Sequence, residues 1–148
     1  LSKFEIKSNN INLSFTDHTS VHYTRNDEEP MYERFTFTYT IGDQEIFKHR
    51  YELLTDNFVY LKDVFKSYLE NHRFIEYEFE EPDFIFKLDP ARGRELIVTI
   101  DSYSWKGGEG YSGEGLSALM YLDDREIEDL IKQLDDFERP IEDEYINC

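Results

Sequence analysis

The chain has 148 residues, enough for one domain with a sizeable core, and its 12 Phe and 11 Tyr argue for a packed fold over a disordered chain. Asp and Glu outnumber Lys and Arg 33 to 16, a formal charge of −17, which disfavours nucleic acid and anionic membranes as partners and favours steered association with basic ones. Cys148 is the single cysteine, which rules out an intrachain disulfide and a cysteine-based zinc site.

Residues 1–148 carry no repeat, linker or composition shift, so one domain is expected. Phe4, Glu5, Ile6 and Lys7 alternate as a short strand, with a turn at Ser8 to Asn10. Ile11, Leu13 and Phe15 alternate as a second strand. Thr16, Asp17 and His18 read as a turn, and Val21 and Tyr23 as a third strand. Phe35, Phe37, Tyr39 and Ile41 alternate with Arg34 and three threonines, the cleanest strand pattern in the chain. Gly42 and Asp43 supply a two-residue hairpin turn with positive φ at the glycine, and residues 44–53 return as its partner.

The period then changes. Phe58, Leu61, Val64, Phe65, Tyr68 and Leu69 form the stripe of an amphipathic helix over about 56–71, with Thr55 or Asp56 as its cap. Residues 73–88 follow as a hairpin. Ile75, Tyr77 and Phe79 alternate with Glu76, Glu78 and Glu80, so one strand carries an aromatic face and a carboxylate face. Glu81, Pro82 and Asp83 make the turn, and Phe84, Phe86 and Leu88 return toward the core. Leu96, Val98 and Ile100 mark a further strand. Residues 102–115 are a Gly-rich loop flanked by Trp105 and Tyr111, and residues 116–122 read as a last strand. Asp123 and Glu126 form a capping box for a second helix over about 124–138, with Ile127, Leu130, Ile131, Leu134 and Phe137 as its stripe, stopped by Pro140. An acidic tail, 141–148, is expected to be loose. The expectation is an α+β fold: a mostly antiparallel sheet of about seven to nine strands with two amphipathic helices.

No catalytic motif is present. The Gly-rich loop lacks the Lys-Ser/Thr and following helix of a phosphate-binding loop, and Glu109 and Glu114 repel phosphate. His18 and His22 are four apart on a strand, where they lie roughly 13 Å apart, too far to share one ion directly. All four histidines are expected to be solvated or structural, and no metal or cofactor is implied. With 33 acidic residues, finding a carboxylate pair is not diagnostic, and no nucleophile motif is present. No basic region followed by an apolar run suggests a signal peptide, and no apolar stretch approaches the roughly 20 residues a membrane span needs, so a cytoplasmic location is expected.

What remains is an electronegative stripe. Glu76, Glu78 and Glu80 lie roughly 6–7 Å apart on one face, and a basic partner relieves their mutual repulsion. The loop adds Glu109 and Glu114, with Trp105 and Tyr111 as candidate aromatic anchors. Glu128, Asp129, Asp135 and Asp136 on the second helix, and Glu142, Asp143 and Glu144 in the tail, carry further charge.

The order of elements over about residues 11–138, the segment Glu81-Pro82-Asp83-Phe84-Ile85-Phe86 and the closing helix at Glu126, Ile127, Leu130, Ile131 and Leu134 are similar to the WapI-like immunity proteins of bacterial polymorphic toxin systems. The resemblance implies a small cytoplasmic, non-enzymatic protein that neutralises a toxin domain, often a basic nuclease. The residues alone leave two alternatives open. One is a small-ligand-binding domain or enzyme with a pocket under residues 107–115. The other is an acidic nucleic-acid mimic directed at a DNA-binding protein.

Overall fold

In a computed structural model of the chain, residues 2–23, 31–80, 84–91, 94–101 and 115–146 are described. Among them the order is β1 (Phe4–Ser8), β2 (Ile11–His22), β3 (Tyr32–Ile41), β4 (Gln44–Leu54), α1 (Asn57–Asn71), β5 (Ile75–Glu78), β6 (Phe84–Asp89), β7 (Glu95–Asp101), β8 (Gly115–Tyr121), α2 (Asp124–Phe137) and β9 (Glu142–Tyr145). The fold is α+β, and its strands form two sheets. One has the order β1-β2-β3-β4, with β9 added to β2. The other has the order β5-β6-β7-β8. All pairings are antiparallel except β2 with β9.

The β3–β4 hairpin follows its sequence pattern. Phe35, Phe37 and Tyr39 are buried, the intervening threonines face outward, and Gly42 turns the chain at φ 59°. The two sheets meet around Phe84. Its ring centroid lies 5.6 Å from Phe15, 5.0 Å from Phe37 and 4.9 Å from Tyr51. The helices pack on each other and bury Phe58, Leu61, Phe65 and Tyr68 from α1, and Ile127, Leu130, Leu134 and Phe137 from α2.

Three local expectations need correction. Residues 16–18 do not turn the chain, because β2 runs unbroken to His22. The register with β3 slips between Thr16 and Thr19, so Asp17 and His18 form a bulge, with Asp17 left-handed at φ 54°. The extra residue re-aims His18 into the interior. Neither Thr55 nor Asp56 caps α1. Asp56 occupies the N-cap position, but its backbone is left-handed (φ 73°) and its carboxylate makes no cap bond, facing Arg139 at 3.7 Å instead. The α2 box is complete: the Glu126 N–H donates to Asp123 Oδ1 at 2.8 Å and the Asp123 N–H to Glu126 Oε1 at 3.2 Å.

The third correction concerns the acidic tail. Residues 142–145 are β9, paired parallel with residues 19–22 of β2 on the edge that β1 leaves free. Asp143 meets His22 Nε2 at 2.8 Å, and Arg34 donates to Glu144 at 2.8 Å. The His22 ring also stacks on Tyr145, with centroids 4.7 Å apart. Carboxylates that read as solvated in the sequence meet partners more than 100 residues away. No helix among the described residues is long and apolar enough to cross a membrane.

Candidate functional site

The acidic strand is β5. Its alternation comes directly from the sequence: Ile75 and Tyr77 turn toward α1 and the core, while Glu76 and Glu78 are exposed. Across the outer face, Glu76 is followed by Lys87, Ile97 and Leu119, and Glu78 by Ile85, Thr99 and Ser117. The carboxylates are therefore confined to the edge strand, and the rest of that face is mixed. Among the described residues Glu76 has one cation in reach, Lys87 Nζ at 3.6 Å, and this exposed pair contributes little stability.

Glu80 lies beyond the strand end, in a bend. Its N–H donates to Asn57 Oδ1 at 3.0 Å, tying the bend to the start of α1. The structure thus brings Glu76 and Glu78 together on β5 and sets Glu80 apart, beside α1. Trp105, Glu109, Tyr111 and Glu114, with the space beneath residues 107–115 and the turn at 81–83, lie outside the described residues.

The other acidic segments divide. On α2, Asp135 pairs with Lys62 at 3.2 Å, whereas Glu128, Asp129 and Asp136 are exposed. In β9, Asp143 and Glu144 are engaged as above, and Glu142 is exposed.

Sequence reasoning missed a buried polar network. Glu33 is fully buried, and its Oε2 lies 2.8 Å from His18 Nε2. His18 Nδ1 lies 2.8 Å from the Phe137 carbonyl. Asn57, also fully buried, makes a longer 3.5 Å contact to Glu33 Oε1, and its own carbonyl accepts from Tyr77 Oη at 3.2 Å. A buried His–carboxylate pair resembles the base-and-orienter half of a catalytic triad. Here the second ring nitrogen is not free for a substrate. The Phe137 carbonyl can only accept, so Nδ1 carries a proton and donates it, and Nε2 is held by Glu33. A cleft of about 220 Å³ beside His18 is lined by Ser2, Asp17, Thr19, Ile141 and Glu142, but no imidazole nitrogen is available to it. The pair ties β2, β3 and the end of α2 together. Its one sequence signal is Glu33 at an inward position of β3.

Two further observations bear on chemistry. No group of three or more His, Cys, Asp or Glu among the described residues is arranged to hold a metal ion. A cleft of about 340 Å³ between β1 and α2 is lined by Lys3, Lys7, Glu126, Asp129 and Gln133 among others, a mixture of charges with no convergent set of polar groups. There the Gln133 amide bonds the Glu5 backbone on both sides, receiving its N–H at 2.8 Å and donating to its carbonyl at 3.1 Å, and so stands in for a neighbouring strand.

Tyr77 gives the network a pH signature. Burial, then the charges of Glu80 and Glu33 and the nearby Tyr60 phenol, holds its pKa well above the usual tyrosine value. The folded state binds this proton more tightly than the unfolded state. The associated stability is therefore intact below about pH 10 and is lost as pH rises beyond it. Tyr39 and Tyr68 shift the same way through burial. Urea unfolding between pH 9 and 12 is expected to show falling stability, with a shallower fall in Tyr77→Phe. An equal slope in the two proteins would exclude Tyr77 as a contributor.

No protein-family model matches this chain, and no curated protein matches it.

Proposed function

We propose that this chain is a non-enzymatic acidic binding protein, an immunity protein that neutralises a basic, nuclease-type bacterial toxin domain in the cytoplasm by occluding its cationic surface. The observation that carries the reading is the exposed pair Glu76 and Glu78 on an edge strand, in a chain of formal charge −17. A nuclease must hold phosphates, so its active surface is cationic, and like-charge clustering on β5 is relieved when such a surface docks. The resemblance to WapI-like immunity proteins supports the same assignment. Engagement of both His18 nitrogens favours a binding role over acid–base chemistry at the buried His18–Glu33 pair.

The test is capture from the source cell's lysate on the immobilised chain at low salt, followed by elution with salt. The expected product is a basic domain whose nuclease activity is abolished by a stoichiometric amount of the chain. Charge reversal at Glu76 and Glu78 is expected to weaken that inhibition about tenfold or more, since close interfacial charge pairs couple by about 1.5 kcal/mol or above. Capture that is indifferent to salt, or an eluted nuclease that the chain does not inhibit, would sink the reading.

A further inference from the structure

The free edge of β5 differs from the other edges in this fold. Among the described residues β5 pairs only with β6, and the continuation of its register places Phe79 opposite Phe84, where the Phe79 N–H donates to the Phe84 carbonyl at 3.1 Å. Antiparallel pairs alternate between bonded and non-bonded, so Ile75 and Tyr77 also bond inward to β6. The N–H and C=O groups of Glu76 and Glu78 therefore point away from the sheet. Among the described residues no hydrogen bond reaches them.

The apolar layer beneath this edge is also unfinished. Phe84, Phe86 and Leu88 on β6 are buried, but Ile75 and Tyr77 beside them on β5 are only half-buried. Phe74, just before the strand, is 58% exposed, and Tyr60 on α1 is 49% exposed. A cleft of about 220 Å³ opens there, lined by Ser67, Tyr68 and Asn71 of α1 and by Arg73, Phe74 and Ile75. An edge protected only by charge has no need of exposed aromatic side chains along its inner flank.

We propose that β5 is the docking strand: it accepts an extended segment of the basic partner by strand addition, along an edge whose outer side carries Glu76 and Glu78 and whose inner side carries Phe74, Ile75 and Tyr77. This rests on the basic-partner reading above and specifies the partner's pattern. Side chains of an added strand alternate between the two faces. Those beside Glu76 and Glu78 are Lys or Arg, and those between them are apolar and extend the layer over α1. The other edges suit such a segment less well. Gln133 covers β1, the β8 edge is bonded at the Tyr121 backbone by Ser8 Oγ and at the Ser117 carbonyl by Tyr39 Oη, β4 carries Lys48 and Arg50 with a bulge at Ile46, and Asp143 and Glu144 of β9 are already paired.

The probe is a short peptide of alternating lysine and valine, added to the whole chain at low salt, with a scrambled peptide of the same composition as control. Nuclear magnetic resonance reads the amide exchange of Glu76 and Glu78. The expected result is protection of these two amides by the alternating peptide alone. Glu78→Pro removes an outward N–H that the β6 ladder does not use, and Glu78→Ala removes the same charge while keeping the N–H. The proline variant is expected to bind the peptide about threefold to tenfold more weakly than the alanine variant, the worth of one hydrogen bond. Equal binding of both peptides without amide protection would overturn strand addition and leave acidic docking standing. No binding of either peptide at low salt would overturn both.

Discussion

Phe58→Ala is expected to lower the unfolding free energy by about 3–5 kcal/mol. Phe58 enters from the first turn of α1 and is fully buried. Its ring centroid lies 5.5 Å from Phe15, 5.1 Å from Phe35, 5.4 Å from Phe79 and 5.0 Å from Phe137, all four edge-to-face. These rings belong to the first sheet, to the residue after β5 and to α2. Collapse around the missing ring would require several elements to move together, so the cavity persists and the full transfer and cavity terms are felt. For a domain of this size the loss corresponds to a drop in melting temperature on the order of 10 °C. Phe58→Leu refills much of the space and is expected to recover more than half of the loss. Chemical denaturation of the two variants checks this, and a loss under about 1 kcal/mol for the alanine variant would show that Phe58 is not the keystone of the core.

Glu33→Ala is expected to be of similar size, about 3–5 kcal/mol, for a different reason. The variant leaves His18 Nε2 buried with no partner, while Nδ1 stays committed to the Phe137 carbonyl. Glu33→Gln can offer Nε2 an amide N–H and keep an oxygen toward Asn57, so every buried polar atom retains a partner. The glutamine variant should therefore lose no more than about a third of what the alanine variant loses. Equal losses in denaturant titrations would mean that the charge, and not the hydrogen-bond count, holds the network together.

Much of this fold was legible in the chain. The alternation in β1, β3, β6 and β7 and the three-and-four spacing in α1 and α2 follow from which side chains must be buried, and the Asp123–Glu126 box is local chemistry. Features that depend on distant partners were not legible. The polar letters of Thr16, Asp17 and His18 are the same for a turn and a bulge. His18 becomes a structural residue only because Glu33 and the end of α2 meet it. Residues 142–145 read as solvated acid because nothing local reveals that His22 and Arg34 stand across from them.

The candidate site divides along the same line. Period-two alternation by itself determined that Glu76 and Glu78 share one face of a strand and that Ile75 and Tyr77 share the other, because successive side chains on an extended chain must point in opposite directions. Only the tertiary structure decided that this strand is an edge, that its outward backbone groups have no neighbouring strand among the described residues, and that Glu80 turns away toward Asn57. Strand order and edge exposure arise from contacts between segments far apart in the chain, and these are set by how the whole core packs.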